Sequence, residues 1–325
     1  MTAAELLQLA WRPFRFALPR ALVTAHGALQ ERCGWLVRLE RGDGALGWGE
    51  AAPLQAGPPA VGPDPVALGL PAGPWTRAQL EARLAALPPP FSFALGLALA
   101  ELDGLGSAGG GGWLPPPPSA LLLPAGPAAA AVLRAALAAG PPPPAVKWKV
   151  AALADPEERR TLEALLTLLP AGCRLRCDAN GGWDRPTAAA WAERLAGEGR
   201  LEWLEQPLPA ADHAGLRALA QRLPVALDES LRHPAGPPAD WAGWWVRRPA
   251  LEGDPRPLLA ALAAGAPRCM ISTAFETGIG WRLVAHGAAL QQRGPTPTAP
   301  GLAPGWRPQG GLFADDPAQV WEAAA

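Results

Sequence analysis

The chain has 325 residues, of which 49% are apolar and 18% charged, with a net charge of −1. That length and apolar content suffice for one large domain or two modest ones with a substantial core, and the near-neutral charge without a basic run excludes the electrostatic footprint of a nucleic-acid partner. The 37 glycines and 41 prolines approach a low-complexity composition, but 15 tryptophans argue for a globular chain with proline-punctuated loops. Glu5, Arg12, Arg15 and Arg20 are spread through the start, which lacks the charged-then-apolar order of a signal peptide. The Ala/Leu run 120–133 is interrupted by Pro124 and Pro127, so no membrane span is expected. Cys33, Cys173, Cys177 and Cys269 form no CxxC pair; a reducing compartment, the cytoplasm, fits best.

In chain order, the runs 35–40 and 46–50 flank Gly42-Asp43-Gly44, a hairpin signal, and helical stretches follow near 76–87 and 93–102. Residues 1–112 therefore read as an α+β capping domain. The run 106–118, with glycines at 109–112 and prolines at 115–118, reads as a flexible and then stiff linker. From about residue 120, short β-like runs alternate with Ala/Leu-rich helical stretches. Strands are expected at 121–123, 145–150, 174–178, 201–205, 225–228, 244–248, 269–273 and, most faintly, 296–299. Helices are expected at 156–169, 187–196, 214–223, 257–264 and 281–292. Eight such units predict an α/β fold, a (β/α)8-type barrel over 113–310, with 311–325 a tail packing back on the cap.

Lysine occurs only at Lys147 and Lys149, against 26 arginines. A composition this depleted in lysine keeps one where arginine cannot serve, and an amine, unlike a guanidinium, can be tuned to give and take a proton. The spacing of two on a strand puts both on one face. Three later strands end in an acid, Asp178, Glu205 and Asp228, spaced 27 and 23 residues apart, one βα unit each. A single acid after a strand reads more readily as a helix cap, but three in register converge at the top of a barrel, where they would repel unless a hard cation such as Mg²⁺ or Mn²⁺ neutralised them. A second cation nearby lowers a lysine's pKa, as a base near neutral pH requires. The sixth strand ends Val246-Arg247-Arg248-Pro249, a fixed positive charge opposite the lysines. The constellation suggests proton abstraction beside a carboxylate, with the metal holding the resulting enediolate. Asn180 and Glu229 stand close enough in sequence to orient the metal ligands.

Lys147-Trp148-Lys149 with Asp178, Glu205 and Asp228 resembles the KxK signature and metal ligands of the enolase superfamily. Supporting stretches are Thr24-Ala25-His26-Gly27 with Arg32, Gly47-Trp48-Gly49-Glu50-Ala51-Ala52-Pro53, Asp228-Glu229-Ser230-Leu231-Arg232, and the run 271–280. The resemblance implies an enolase-like modified TIM barrel with a capping domain and a Mg²⁺-dependent activity on a small carboxylate substrate. Its nearest branch is the one that dehydrates 2-succinyl-6-hydroxy-2,4-cyclohexadiene-1-carboxylate on the route to menaquinone or phylloquinone. It also implies that Thr24 and His26 close over the substrate and that Ser272 and Thr273 hydrogen-bond its carboxylate or carbonyl groups.

One departure matters. The superfamily places a second lysine where Arg248 stands, and arginine cannot act as a base. Racemisation, which needs a base on each face, is disfavoured, whereas syn dehydration by Lys149 alone, with Arg248 supplying charge, remains open. The competing readings are a related isomerase, such as an N-succinylamino acid racemase or muconate cycloisomerase, and a barrel retained only for binding. His213, His233 and His286 read as structural, and the tryptophan-rich run 241–245 as packing.

Overall fold

The computed structural model describes residues 5–24, 27–54 and 62–324. β1 (Leu6–Thr24) is a 19-residue strand in which Leu7 and Leu9, and after a change of phase Phe14 and Phe16, are buried in alternation while Gln8, Pro13 and Arg15 face out. It pairs antiparallel with β2 (Gly27–Arg41), which pairs in turn with β3 (Leu46–Ala51) across the Gly42-Asp43-Gly44 turn. β4 (Gly73–Thr76) joins the far side of β1, giving the order β3-β2-β1-β4. Helix α1 (Arg77–Arg83) starts on a capping box between Thr76 and Gln79.

Helix α2 (Pro89–Leu102) is buried almost all round because it lies between the two halves of the molecule. Phe91, Leu95 and Leu99 pack on the cap with Leu7, Leu9, Val37 and Leu39. Phe93 and Leu97 pack on the barrel with Ala250, Leu251 and Leu283. Gly47 and Gly49 face α2 so closely that a Cβ at either would collide with the carbonyl oxygen of Ala98 or Ala94. Their neighbours on β3 alternate to the other face, which sends Trp48 and Glu50 toward the barrel side.

The second sheet is parallel, in the order β11-β10-β9-β8-β7-β6-β5. Its strands are β5 (Leu121–Leu123), β6 (Ala145–Lys149), β7 (Arg174–Asp178), β8 (Leu201–Glu205), β9 (Val225–Leu227), β10 (Trp244–Arg247) and β11 (Cys269–Ile271). Around it run α3 (Ala128–Ala139), α4 (Asp155–Leu168), α5 (Arg185–Leu195), α6 (His213–Ala220), α7 (Arg256–Ala263) and α8 (Gly278–Gln292). The fold is the capped α/β barrel that the alternation predicts. Among the described residues β9 is followed only by a short 3-10 turn, Glu229–Leu231, where a helix would complete the unit.

The expected eighth strand at 296–299 is not formed. Pro297 removes an N–H donor within it and Pro295 and Pro300 remove the donors on either side, so no regular ladder runs through it. Closure falls instead to 300–301: Gly301 donates to Ile271 O at 2.8 Å and accepts from Thr273 N at 3.0 Å, while Pro300 O accepts from Ala120 N at 2.9 Å. The run 106–118 is likewise no free linker. The Trp113 ring stands edge-on to His286 with centroids 5.6 Å apart, and Leu114 N donates to His286 Nδ1 at 3.2 Å.

Helix α9 (Pro317–Ala323) returns to the cap, where Val320 and Trp321 join a cluster with Phe14, Phe16 and Trp48. Arg12 donates to the Trp321 carbonyl at 2.6 Å and lies over its ring. The four cysteines are free and buried. No helix among the described residues is long and apolar enough to cross a membrane.

Candidate active site

The two-residue period of β6 sends Lys147 and Lys149 into the barrel and Trp148 outward, where its ring packs 6.2 Å from that of Trp191. Strand register sets Lys149, Asp178 and Glu205 side by side on β6, β7 and β8. Asp228 follows β9 and Arg248 follows β10. Below them Trp203, Ala226, Val246 and Met270 close the floor. The polar groups therefore stand at the carboxyl ends of the strands over an apolar plug.

Lys147 Nζ lies 2.8 Å from Asp178 Oδ2 and 2.5 Å from Glu205 Oε1. Lys149 Nζ donates to Asp178 Oδ2 at 2.6 Å and to Asn180 Oδ1 at 2.8 Å. Arg248 grips Asp228 through Nε and Nη2 and donates from Nη1 to the Thr273 carbonyl. Asn180 Nδ2 donates to Glu229 Oε1 at 2.9 Å, tying both to the lysine side of the site.

All these charges are buried, and their neighbours decide their states. Burial alone would raise Asp178, but Lys147 and Lys149 outweigh it and hold the carboxyl well below its usual range. Asp228 is held low in the same way, burial being overcome by Arg232 and Arg248. Glu205 goes the other way: burial and the nearby Asp178 charge push it up to about 7. Burial opposes the charge on Lys147, yet Asp178 and Glu205 raise it above the lysine range. Both carboxylates touch the amine directly and outweigh burial and the opposing charge of Arg248.

Among the described residues no three acid, histidine or cysteine side chains form a ready metal cage. In its place each of the three strand-end acids is neutralised by a lysine or arginine. The donor set nevertheless fits a hard divalent cation: three carboxylate ligands and no His or Cys, with Glu205 Oε2 buried and lacking a hydrogen-bond partner among the described residues. A carboxylate oxygen left orphaned among like charges is what a bound cation would satisfy.

Over this charged floor lies a cavity of about 230 Å³ whose other wall is apolar, with Leu22, Leu29 and Leu54 from the cap and Leu122, Phe275 and Ala303 from the barrel. Ser272 and Thr273 are on its wall as well. The Thr273 hydroxyl is already engaged, donating to Glu276 Oε2 at 2.5 Å, while Ser272 Oγ makes only a long bond of 3.3 Å to Gly301 O. His26 and the side chain of Thr24 lie outside the described residues.

Several positioning groups leave little trace in a linear reading. Gln206 accepts from Asp228 N and Ser230 N and donates to Leu208 O and Ser230 Oγ, so one amide fixes the loop that carries Asp228. Asn180, Gln206, Phe275 and Ala303 all have positive φ, at 47°, 37°, 65° and 45°, which concentrates backbone strain around the cavity. Arg32 is buried and donates to the carbonyls of Ala52 and Pro53, holding the segment that brings Leu54 to the cavity. Glu50, buried on β3, accepts from Thr277 N, Thr277 Oγ1 and Gly280 N at the start of α8 and so latches cap to barrel.

A capped barrel with acids on three successive strand ends and a lysine pair on the strand before them defines an enolase-type enzyme. The family model "Enolase C-terminal domain-like" matches residues 128–236. The o-succinylbenzoate synthase of Thermosynechococcus vestitus is 34% identical over 287 residues, covering 85% of this chain and 87% of its own. The crystal structure of o-succinylbenzoate synthase from Thermosynechococcus elongatus, complexed with Mg in the active site, superposes with a TM-score of 0.79 and 32% identity over 97% of this chain and 99% of that one. A dipeptide epimerase from Enterococcus faecalis shares the fold alone, with a TM-score of 0.71 and 20% identity over 92% of this chain and 90% of its own. The chain belongs to the o-succinylbenzoate synthase family of the enolase superfamily.

Proposed function

We infer that the chain is a hydro-lyase that dehydrates 2-succinyl-6-hydroxy-2,4-cyclohexadiene-1-carboxylate to o-succinylbenzoate, in menaquinone or phylloquinone biosynthesis. The observation that carries this reading is the pairing of Lys149, an amine at the cavity, with Arg248, a buried guanidinium fixed on Asp228. One side of the site offers a group that can exchange a proton and the other a charge that cannot.

Asp178, Glu205 and Asp228 would hold Mg²⁺, or Mn²⁺ as an equivalent hard cation, which when bound neutralises charge gathering on the substrate carboxylate. Lys149 Nζ, once freed from Asp178, removes the proton beside that carboxylate and returns it to the departing hydroxyl on the same face. Asn180 and Glu229 keep that amine aimed. Arg248 and Lys147 supply fixed positive charge at the opposite edge and beneath. The apolar wall from cap and barrel excludes water around the ring. Ser272 is placed to donate to a substrate oxygen. A cytoplasmic location suits this role and is supported by the four buried, free cysteines.

Purified protein with Mg²⁺ is expected to bleach the cyclohexadiene chromophore of the substrate. Absence of that loss with either Mg²⁺ or Mn²⁺, together with racemisation of an N-succinylamino acid, would overturn the reading.

A further inference from the structure

Four cations line the cavity, and three of them are held by two or more partners each. Lys147 spans two carboxylates, Lys149 bonds Asp178 and Asn180, and Arg248 uses Nε, Nη1 and Nη2. Arg232 differs. Its Nη1 donates to Asp228 Oδ1 at 2.6 Å, and its Nε and Nη2 have no partner among the described residues. Its side chain is 23% exposed, against 6%, 5% and 10% for Lys147, Lys149 and Arg248. It caps the 3-10 turn Glu229–Leu231, so one edge of the guanidinium is anchored on Asp228 while the other is open.

We propose that Arg232 receives the second carboxylate of the substrate, at the end of the succinyl arm. The inference rests on the dehydration reading above, under which the substrate is a dianion. The carboxylate beside the reacting carbon belongs at the three acids and Lys149. The other must then lie against the rest of the cavity wall, where Ser272 and Thr273 offer hydroxyls among leucine, phenylalanine and alanine but Arg232 is the remaining cation, and a carboxylate without a cation is costly to bury there. A planar guanidinium with two free N–H groups suits a carboxylate in geometry and charge. The pair with Asp228 fixes Arg232 in place without filling it, so it is a specificity residue as well as a neighbour of the metal site.

The test compares two ligands on the Mg²⁺-loaded protein by titration calorimetry: o-succinylbenzoate, and 2-butyrylbenzoate, in which a methyl group replaces the terminal carboxylate. Arg232→Gln is expected to weaken o-succinylbenzoate by about 10- to 100-fold, the range for losing hydrogen bonds to a charged group, and 2-butyrylbenzoate by less than about threefold. Arg232→Lys is expected to restore part of the loss. Equal weakening of both ligands would mean that Arg232 acts only through Asp228, and no weakening of either would remove it from recognition; both overturn the proposal. Failure of the unmodified protein to bind o-succinylbenzoate would strike the dehydration reading itself, and this inference with it.

Discussion

Arg248 holds Asp228 in a two-pronged grip, Nε at 2.9 Å and Nη2 at 2.7 Å from the same carboxylate oxygen. Burial works against the guanidinium charge, but Asp228 outweighs it and keeps Arg248 protonated. A residue so held contributes field and no proton. Arg248→Met is therefore expected to lower turnover by about 10²- to 10³-fold, the size of losing one preorganised donor, while Arg248→Lys keeps most of it. The complementary measurement follows deuterium at the α-carbon of both enantiomers of an N-succinylamino acid. Washout from both at comparable rates would reveal a second base and defeat the assignment.

Lys149→Arg keeps a cation beside Asp178 and Asn180 but removes the amine proposed to accept the proton. Dehydration is expected to vanish while Mg²⁺ still binds and the fold persists by circular dichroism. Turnover within about tenfold of the unmodified protein, a barrier change of only about 1.4 kcal/mol, would exclude Lys149 as the base.

The amide variants of Asp178, Glu205 and Asp228 should each weaken Mg²⁺ binding and activity together, since a hard cation loses a charged oxygen. Glu205 adds a pH signature. Burial and Asp178 raise it to about 7, so the cation must displace a proton there at lower pH. Mg²⁺ affinity measured by calorimetry is expected to fall as pH drops below about 7, and Glu205→Gln to flatten that slope. Normal Mg²⁺ binding by all three amide variants would relegate these acids to structural roles.

The latch between cap and barrel titrates in the same range. Burial is the main reason that Glu50 sits at about 7 against an ordinary 4.5, with Glu276 adding to it and the Thr277 bonds opposing it. The folded protein thus binds this proton more tightly than the unfolded chain. Its contribution to stability is full below about pH 4.5 and is lost as pH rises through 7, to the extent of about 3 kcal/mol. Urea midpoints at pH 5.5 and 8 should show a larger drop for the unmodified protein than for Glu50→Gln. Identical drops would mean that Glu50 stays charged throughout.

The strand-end acids and the lysine pair were legible because each is a local event: an apolar run stops and an acid or amine stands at a fixed offset from it. The barrel was legible for the same reason, as repeated alternation. The strand Leu6–Thr24 escaped because its alternation changes phase across Trp11, Arg12 and Pro13, with Leu7 and Leu9 buried in one cluster and Phe14 and Phe16 in another. The eighth strand was misplaced because closure uses two residues, 300–301, too few to carry a period. Gln206 gave no signal, and Glu50 and Arg232 stood only within stretches of resemblance that assigned them no role, since the latch of Glu50 is set by the meeting of separate segments.

The contact between Arg12 and Trp321 spans 309 positions of chain. On a ribosome adding about 5 to 20 residues per second, roughly 15 to 60 s separate the emergence of these two partners. Throughout that interval Phe14, Phe16 and Trp48 have no Trp321 to cover them, so this part of the cap is made long before it is covered. A nascent chain stalled between the barrel and α9 would present this aromatic patch to chaperones or to another nascent chain, and emergence of α9 is the event that shields it.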